Sequence, residues 1–230
     1  MTSPALLLLA HGTEDPAGRA TWDRLAVSVQ QALPEVAVRL AYAGVASPSM
    51  ASVLAEIAGP VVVVPAFLAS GFHVRVDVPE QLAAIGRDDV VVADPLGPDP
   101  ALVGAVLDRL AEAGGQPGDT VVLAAAGSTD AVAQDDLRTA AALLTARVGH
   151  EVPVGYIAGG EPRVADVVAS AFPRGPRVVL ATWLLAPGAF FRWLGDAGAG
   201  VVAAPLGEHP AVVGVVVERY RAAAPAGVRP

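Results

Sequence analysis

The sequence predicts an α/β fold of two similar doubly wound parallel-sheet domains, related by an internal duplication, with a ligand cleft between them. Three observations carry this expectation. Short Val- and Leu-rich runs alternate with segments of helical periodicity, the pattern of parallel strands covered on both faces. The same order repeats after a Gly- and Pro-rich break, Gly114-Gly115-Gln116-Pro117-Gly118-Asp119. The two copies also align position by position at three turns.

The first copy opens with an apolar strand over 5–9, closed by Gly12, Asp15, Pro16 and Gly18. Residues 19–33 place Trp22, Leu25, Ala26, Val29 and Leu33 on one helical face, and Pro34 ends that helix. A strand follows over 36–42. The next helix, over 49–58, has Met50, Val53, Leu54 and Ile57 inward and Ser47 or Ser49 as its cap. The β-branched run 61–67 is the third strand. A helix over 79–86 takes Pro79 in its first turn, a strand covers 90–93, and a long helix covers 99–113. The second copy repeats this with strands over 120–124, 152–157, 177–182 and 201–204. Its helices are expected over 130–148, 162–171, 189–197 and 210–223. The domains are therefore 1–113 and 120–230, joined by the linker 114–119.

Composition narrows the function. Hydrophobic residues make up 53% of the 230, yet no apolar run approaches the roughly 18–20 residues of a membrane span. The first apolar run lacks a basic flank and reads as a buried strand and not as a signal peptide. A cytoplasmic protein without a membrane partner is expected. With no cysteine, the chain has no disulfides, thiolate metal sites or thiol nucleophiles. A net charge of −8 argues against a nucleic-acid partner. Neither GxGxxG nor GxxxxGK[ST] is present, so no nucleotide is expected.

The repeat sorts scaffold from chemistry. Ala10-His11-Gly12-Thr13-Glu14-Asp15 matches Ala125-Ala126-Gly127-Ser128-Thr129-Asp130. The run 62–71 matches 179–188, which pairs Gly71 with Gly188, His73 with Phe190 and Arg75 with Arg192. The run 94–100 matches 204–210. Glycines, prolines and strands recur, whereas His11 and His73 exist only in the first copy. Both follow strands, where ligands bind in open α/β sheets. Two imidazoles suit a borderline divalent metal held transiently; ordinary loop histidines are the equal alternative on spacing alone. Asp77 is expected to cap the helix near Pro79, with orientation of an imidazole as the second choice. Arg75 and Arg192 are candidates for an anionic ligand's carboxylates, or for surface pairs with Asp77 and Asp196. His209 reads as a turn or capping residue and His150 as a helix-end cation. Trp183, Phe190, Phe191 and Trp193 read first as core packing and second as an apolar wall for a flat macrocycle.

With those residues in place, the whole chain resembles the sirohydrochlorin chelatases, the class II tetrapyrrole chelatases, in their long two-domain actinobacterial form. The resemblance rests on Leu6-Leu7-Leu8-Leu9-Ala10-His11-Gly12-Thr13, the Pro48-Ser49 turn and the stretch 65–79 with His73, Arg75 and Asp77. It implies a lyase: ATP-independent insertion of Fe²⁺ or Co²⁺, or Ni²⁺, into sirohydrochlorin, in sirohaem or cobalamin biosynthesis. It also implies that His11 and His73 are both metal ligands and proton acceptors. Arg75 and Arg192 are expected to contact the tetrapyrrole, and a monomer is expected because both copies lie in one chain. One departure is visible. Many members carry an acidic residue where this chain has Gly44, with Glu14 and Asp15 as the nearest substitutes. That departure motivates the alternative of a non-catalytic metal- or tetrapyrrole-binding protein on the same fold.

Overall fold

The computed structural model describes residues 3–44, 46–172 and 177–224. The first half runs β1 (Ala5–Ala10), α1 (Pro16–Ala32), β2 (Val38–Tyr42), α2 (Met50–Glu56), β3 (Val61–Pro65), α3 (Val78–Ile85), β4 (Val90–Val92) and α4 (Pro100–Glu112). The second runs β5 (Thr120–Gly127), α5 (Ala131–Val148), β6 (Val154–Gly159), α6 (Val164–Ala171), β7 (Val178–Trp183), α7 (Ala189–Leu194), β8 (Val201–Val202) and α8 (Pro210–Ala223). Each half forms an all-parallel four-stranded sheet, ordered β2-β1-β3-β4 and β6-β5-β7-β8. In both, the strand order reverses between the first and third strands of the half, where a crevice opens at their carboxyl ends.

The ladder register obeys the internal repeat. Leu6 lies opposite Val62 and Val121 opposite Val179. Ala10 faces Tyr42 and Ala125 faces Tyr156. Tyr42 and Tyr156 each donate a backbone N–H to the carbonyl of Pro48 or Pro162.

Strand alternation explains how the halves join. On β1, Leu6, Leu8 and Ala10 face one way and Ala5, Leu7 and Leu9 the other. The outward set packs with Met50, Leu54 and Val78 of α2 and α3. On the other sheet, Val122, Ala124 and Leu180 pack outward with Val164, Val168 and Leu194 of α6 and α7. The inward faces of both sheets share one continuous core, which includes Trp22, Leu25, Leu102, Val106, Leu137, Leu144, Val216 and Tyr220 of α1, α4, α5 and α8. The molecule is thus five layers deep, with one helix layer common to both halves.

The element ends follow local chemistry. Asp15, Ser49, Asp99 and Asp130 cap α1, α2, α4 and α5 by accepting backbone N–H bonds. His209 does the same for α8 through Nδ1, in the place Asp99 holds in the first half. Gly149 ends α5 in the left-handed conformation, with His150 beside it. The third helix departs from expectation. It begins as a π-helical turn over His73–Asp77 and continues without a break into α3.

Candidate active site

His11 sits at the carboxyl end of β1, and His73 opens the π-helical turn after β3. Because β1 and β3 are adjacent and parallel, both side chains emerge at one end of the sheet. Their ring centroids are 4.8 Å apart, with the planes nearly perpendicular. Two imidazoles bound cis to one ion have each centroid about 3.2 Å from it, from a metal–nitrogen bond near 2.1 Å, and hence a separation of about 5 Å. The observed spacing fits that arrangement.

Each ring has its own support. His73 Nδ1 lies 2.5 Å from Asp77 Oδ2, one turn along the same face. An Nδ1–H donated to that carboxylate leaves the Nε2 lone pair free for a metal. His11 Nδ1 lies 3.4 Å from the Gly12 carbonyl, and Phe67 lies edge-on to the ring at 6.1 Å. His11 keeps an edge in solvent, yet the protein packed around it disfavours the charged form and lowers its pKa from 6.5, with His73 adding to the effect. A ring held neutral is competent both to bind a cation and to accept a proton. Gly12 is needed directly after it because its φ is +94°.

Asp77 corrects one expectation. It makes no capping bond and holds helical backbone angles. With the π turn running straight into α3, no orphan N–H groups exist at Pro79 for it to satisfy. The i,i+4 spacing turns its carboxylate toward His73 instead.

Arg75 and Arg192 reach across the molecule. Arg75 Nη1 approaches Asp130 at 3.4 Å, and Arg192 Nη1 donates to Asp15. Asp77 and Asp196 are thus not their partners. Since Arg75 corresponds to Arg192 and Asp130 to Asp15, these are two copies of one contact, exchanged between halves. Both aspartates are helix caps, and both arginines remain at least half exposed. Around them the loops interlock. The Ser70 N–H donates to Asp136 at 2.7 Å, and Trp183 Nε1 donates to the Leu68 carbonyl at 3.3 Å. Gly18 allows the closest approach, since a Cβ there would stand 2.5 Å from the Pro187 carbonyl oxygen.

No third protein ligand joins the two histidines: among the described residues, no three His, Cys, Asp or Glu side chains cluster to hold a metal. Glu14 is exposed, and Asp15 is committed to its cap and to Arg192. Gly44 is adjacent to the site, as a Cβ on it would lie 3.1 Å from the His11 carbonyl oxygen. Trp183 is core, as expected, and Phe191 packs on the outer cluster, but Phe190 and Trp193 are exposed. Among the described residues, no helix is long and apolar enough to cross a membrane.

A model of the CbiX family matches residues 5–113 and 120–223. The chain is 27% identical to the sirohydrochlorin cobaltochelatase of Methanopyrus kandleri over 140 residues, which are 49% of this chain and 98% of that protein. Half of this chain therefore spans nearly the whole of that relative, in keeping with a duplication. Among solved structures, SirB from Bacillus subtilis with Fe³⁺ superposes with a TM-score of 0.80 at 21% identity, covering 96% of each chain. CbiX, the terminal enzyme for biosynthesis of sirohaem in denitrifying bacteria, superposes with a TM-score of 0.72 at 26% identity, covering 95% of this chain and 99% of that one. With a family match that spans both copies, the chain belongs to the CbiX family.

Proposed function

We propose that this protein is a sirohydrochlorin chelatase, inserting Fe²⁺ or Co²⁺ into the macrocycle without ATP. The observation that carries the reading is the His11–His73 pair, at the spacing of two ligands on one ion. Membership in a family whose relatives are named sirohydrochlorin cobaltochelatases supplies the substrate class.

The site's chemistry follows from its parts. Two neutral imidazoles make a weak, open site that binds a substrate metal and releases it. Insertion requires the macrocycle to lose two pyrrole N–H protons. As each imidazole gives up the metal, its Nε2 lone pair becomes free to accept one of them. The lowered pKa of His11 favours holding the metal, and Asp77 holds the His73 ring in place through Nδ1. Arg75 and Arg192 each engage a carboxylate through Nη1, which leaves donors free for the substrate's carboxylates. Imidazole ligation does not choose among Fe²⁺, Co²⁺ and Ni²⁺. A cytoplasmic monomer is part of the proposal.

The test is absorbance-monitored metallation of sirohydrochlorin with Co²⁺ or anaerobic Fe²⁺. Wild type is expected to exceed the uncatalysed rate, and a His11→Ala/His73→Ala variant to fall to it. A wild-type rate equal to the uncatalysed one would reject catalysis; Co²⁺ titration would then test the non-catalytic carrier reading.

A further inference from the structure

In the second half the histidine-bearing turn has been rebuilt in apolar residues. Phe190 stands where His73 does, Leu194 where Asp77 does and Trp193 where Val76 does. Helix α7 divides these residues by face. Leu194 is buried and Phe191 packs on the outer core, while Phe190, Trp193 and Arg192 turn outward. Phe190 is 37% exposed and Trp193 is 54% exposed, and their rings touch with centroids 5.4 Å apart. Single exposed hydrophobics are ordinary; an exposed aromatic pair in mutual contact is not explained that way.

The pair's position follows from the contacts that hold α7. Arg192 donates to Asp15, four residues beyond His11, and a Cβ on Gly188 would lie 3.5 Å from Thr13 Oγ1. The first turn of α7 therefore abuts the loop that carries His11. On the opposite side, Phe72 is 56% exposed next to His73. The His11 loop and the first turn of α7 thus meet where the two halves cross, with a guanidinium group at each crossing.

We propose that Phe190 and Trp193 form the stacking platform that holds the flat face of the tetrapyrrole against the His11–His73 centre. The second copy has exchanged metal ligation for substrate positioning. The occupant is a planar conjugated ring with an anionic rim, because flat aromatic faces and flanking arginines together match that chemistry. The inference rests on the chelatase reading.

Metal-free sirohydrochlorin and Co²⁺ alone are the two probes. Trp193 is the exposed tryptophan of the three, since Trp22 and Trp183 are 5% and 2% exposed. Binding of the metal-free macrocycle should therefore quench its fluorescence, and Trp193→Phe should lose the signal while keeping affinity in a competition assay. Phe190→Ala/Trp193→Ala should weaken macrocycle binding at least about tenfold and raise KM, with Co²⁺ affinity unchanged. Wild-type macrocycle affinity in the double variant would overturn the proposal, as would an equal loss of Co²⁺ binding. If the double variant binds normally while the histidine variant loses turnover, only the platform fails. If wild type binds no sirohydrochlorin, the chelatase reading fails, and the platform with it.

Discussion

Asp77 offers the sharpest test of how the site is built. Its carboxylate lies 2.5 Å from His73 Nδ1 and makes no capping bond to α3. Asp77→Asn keeps the shape but removes the charge that faces His73 Nδ1. Changes to a ligand's hydrogen-bond partner typically cost 10–100-fold in metal affinity. Here His73 is 50% exposed and Asp77 27%, so solvent screens the pair and the lower end applies. The expected loss is roughly tenfold in Co²⁺ affinity, or about 1.4 kcal/mol. Isothermal titration of the purified variant measures it, with metallation kinetics beside it. Stability supplies the counter-test. If Asp77 were a cap, Asp77→Ala would cost about 1 kcal/mol while Asn would substitute well. The geometry instead predicts urea midpoints near wild type for both, within about 0.5 kcal/mol. Unchanged metal binding in Asp77→Asn, or a stability loss confined to the Ala variant, would refute the orienting role.

The remaining predictions concern the site and the scaffold. Gly44→Glu should tighten Co²⁺ binding severalfold by placing a carboxylate beside His11, after the 3.1 Å contact relaxes by a few tenths of an ångström; weaker binding in a folded variant would show that the side chain points elsewhere. Leu8, fully buried in the shared core, should cost about 2–5 kcal/mol when changed to Ala. Because that core joins both sheets, calorimetry should still show one transition, and two separate melts would contradict the layering. Arg177 holds Asp119 below the usual carboxylate range, through two side-chain hydrogen bonds. The unfolded chain therefore takes up the proton first, so this pair stabilises the fold above the ordinary carboxylate pKa and ceases to as pH falls through the lowered one. Asp119→Asn should flatten the decline in urea midpoint between pH 5 and 3; an unaltered slope would disprove the linkage. His11 shifts in the same direction, so Co²⁺ binding should persist somewhat below pH 6.5 and fade on further acidification.

The repeat was legible because strands and turns are written locally. The Val-rich runs at 61–65 and 178–183, the capping aspartates at 15, 99 and 130, and Pro16, Pro100 and Pro210 at helix starts all act within a few residues. The pairing of Leu6 with Val62 and of Val121 with Val179 follows the same alignment that the letters gave. Some boundaries moved. The strand expected over 61–67 stops at Pro65, and the helix expected over 189–197 stops at Leu194, before the Gly195–Gly200 stretch. The π turn at 73–77 went unseen, since no period in five residues separates it from loop. Asp77 reads as a cap for the same reason: without the turn, a cap at Pro79 is the better local account. Phe190 and Trp193 read first as core because composition does not reveal which helix face meets solvent, and the fold exposes both.

The sequence by itself determined the order of elements, the duplication and the two histidines that one copy has and the other lacks. These depend on local propensity and on comparison within the chain. Tertiary structure decided what those residues meet. It brought His11 and His73 to 4.8 Å because β1 and β3 are neighbours. It gave Arg75 and Arg192 their partners in the opposite half, which no linear spacing encodes. It also merged the inner faces of two sheets into one core around a shared helix layer, because neither face could be left in water.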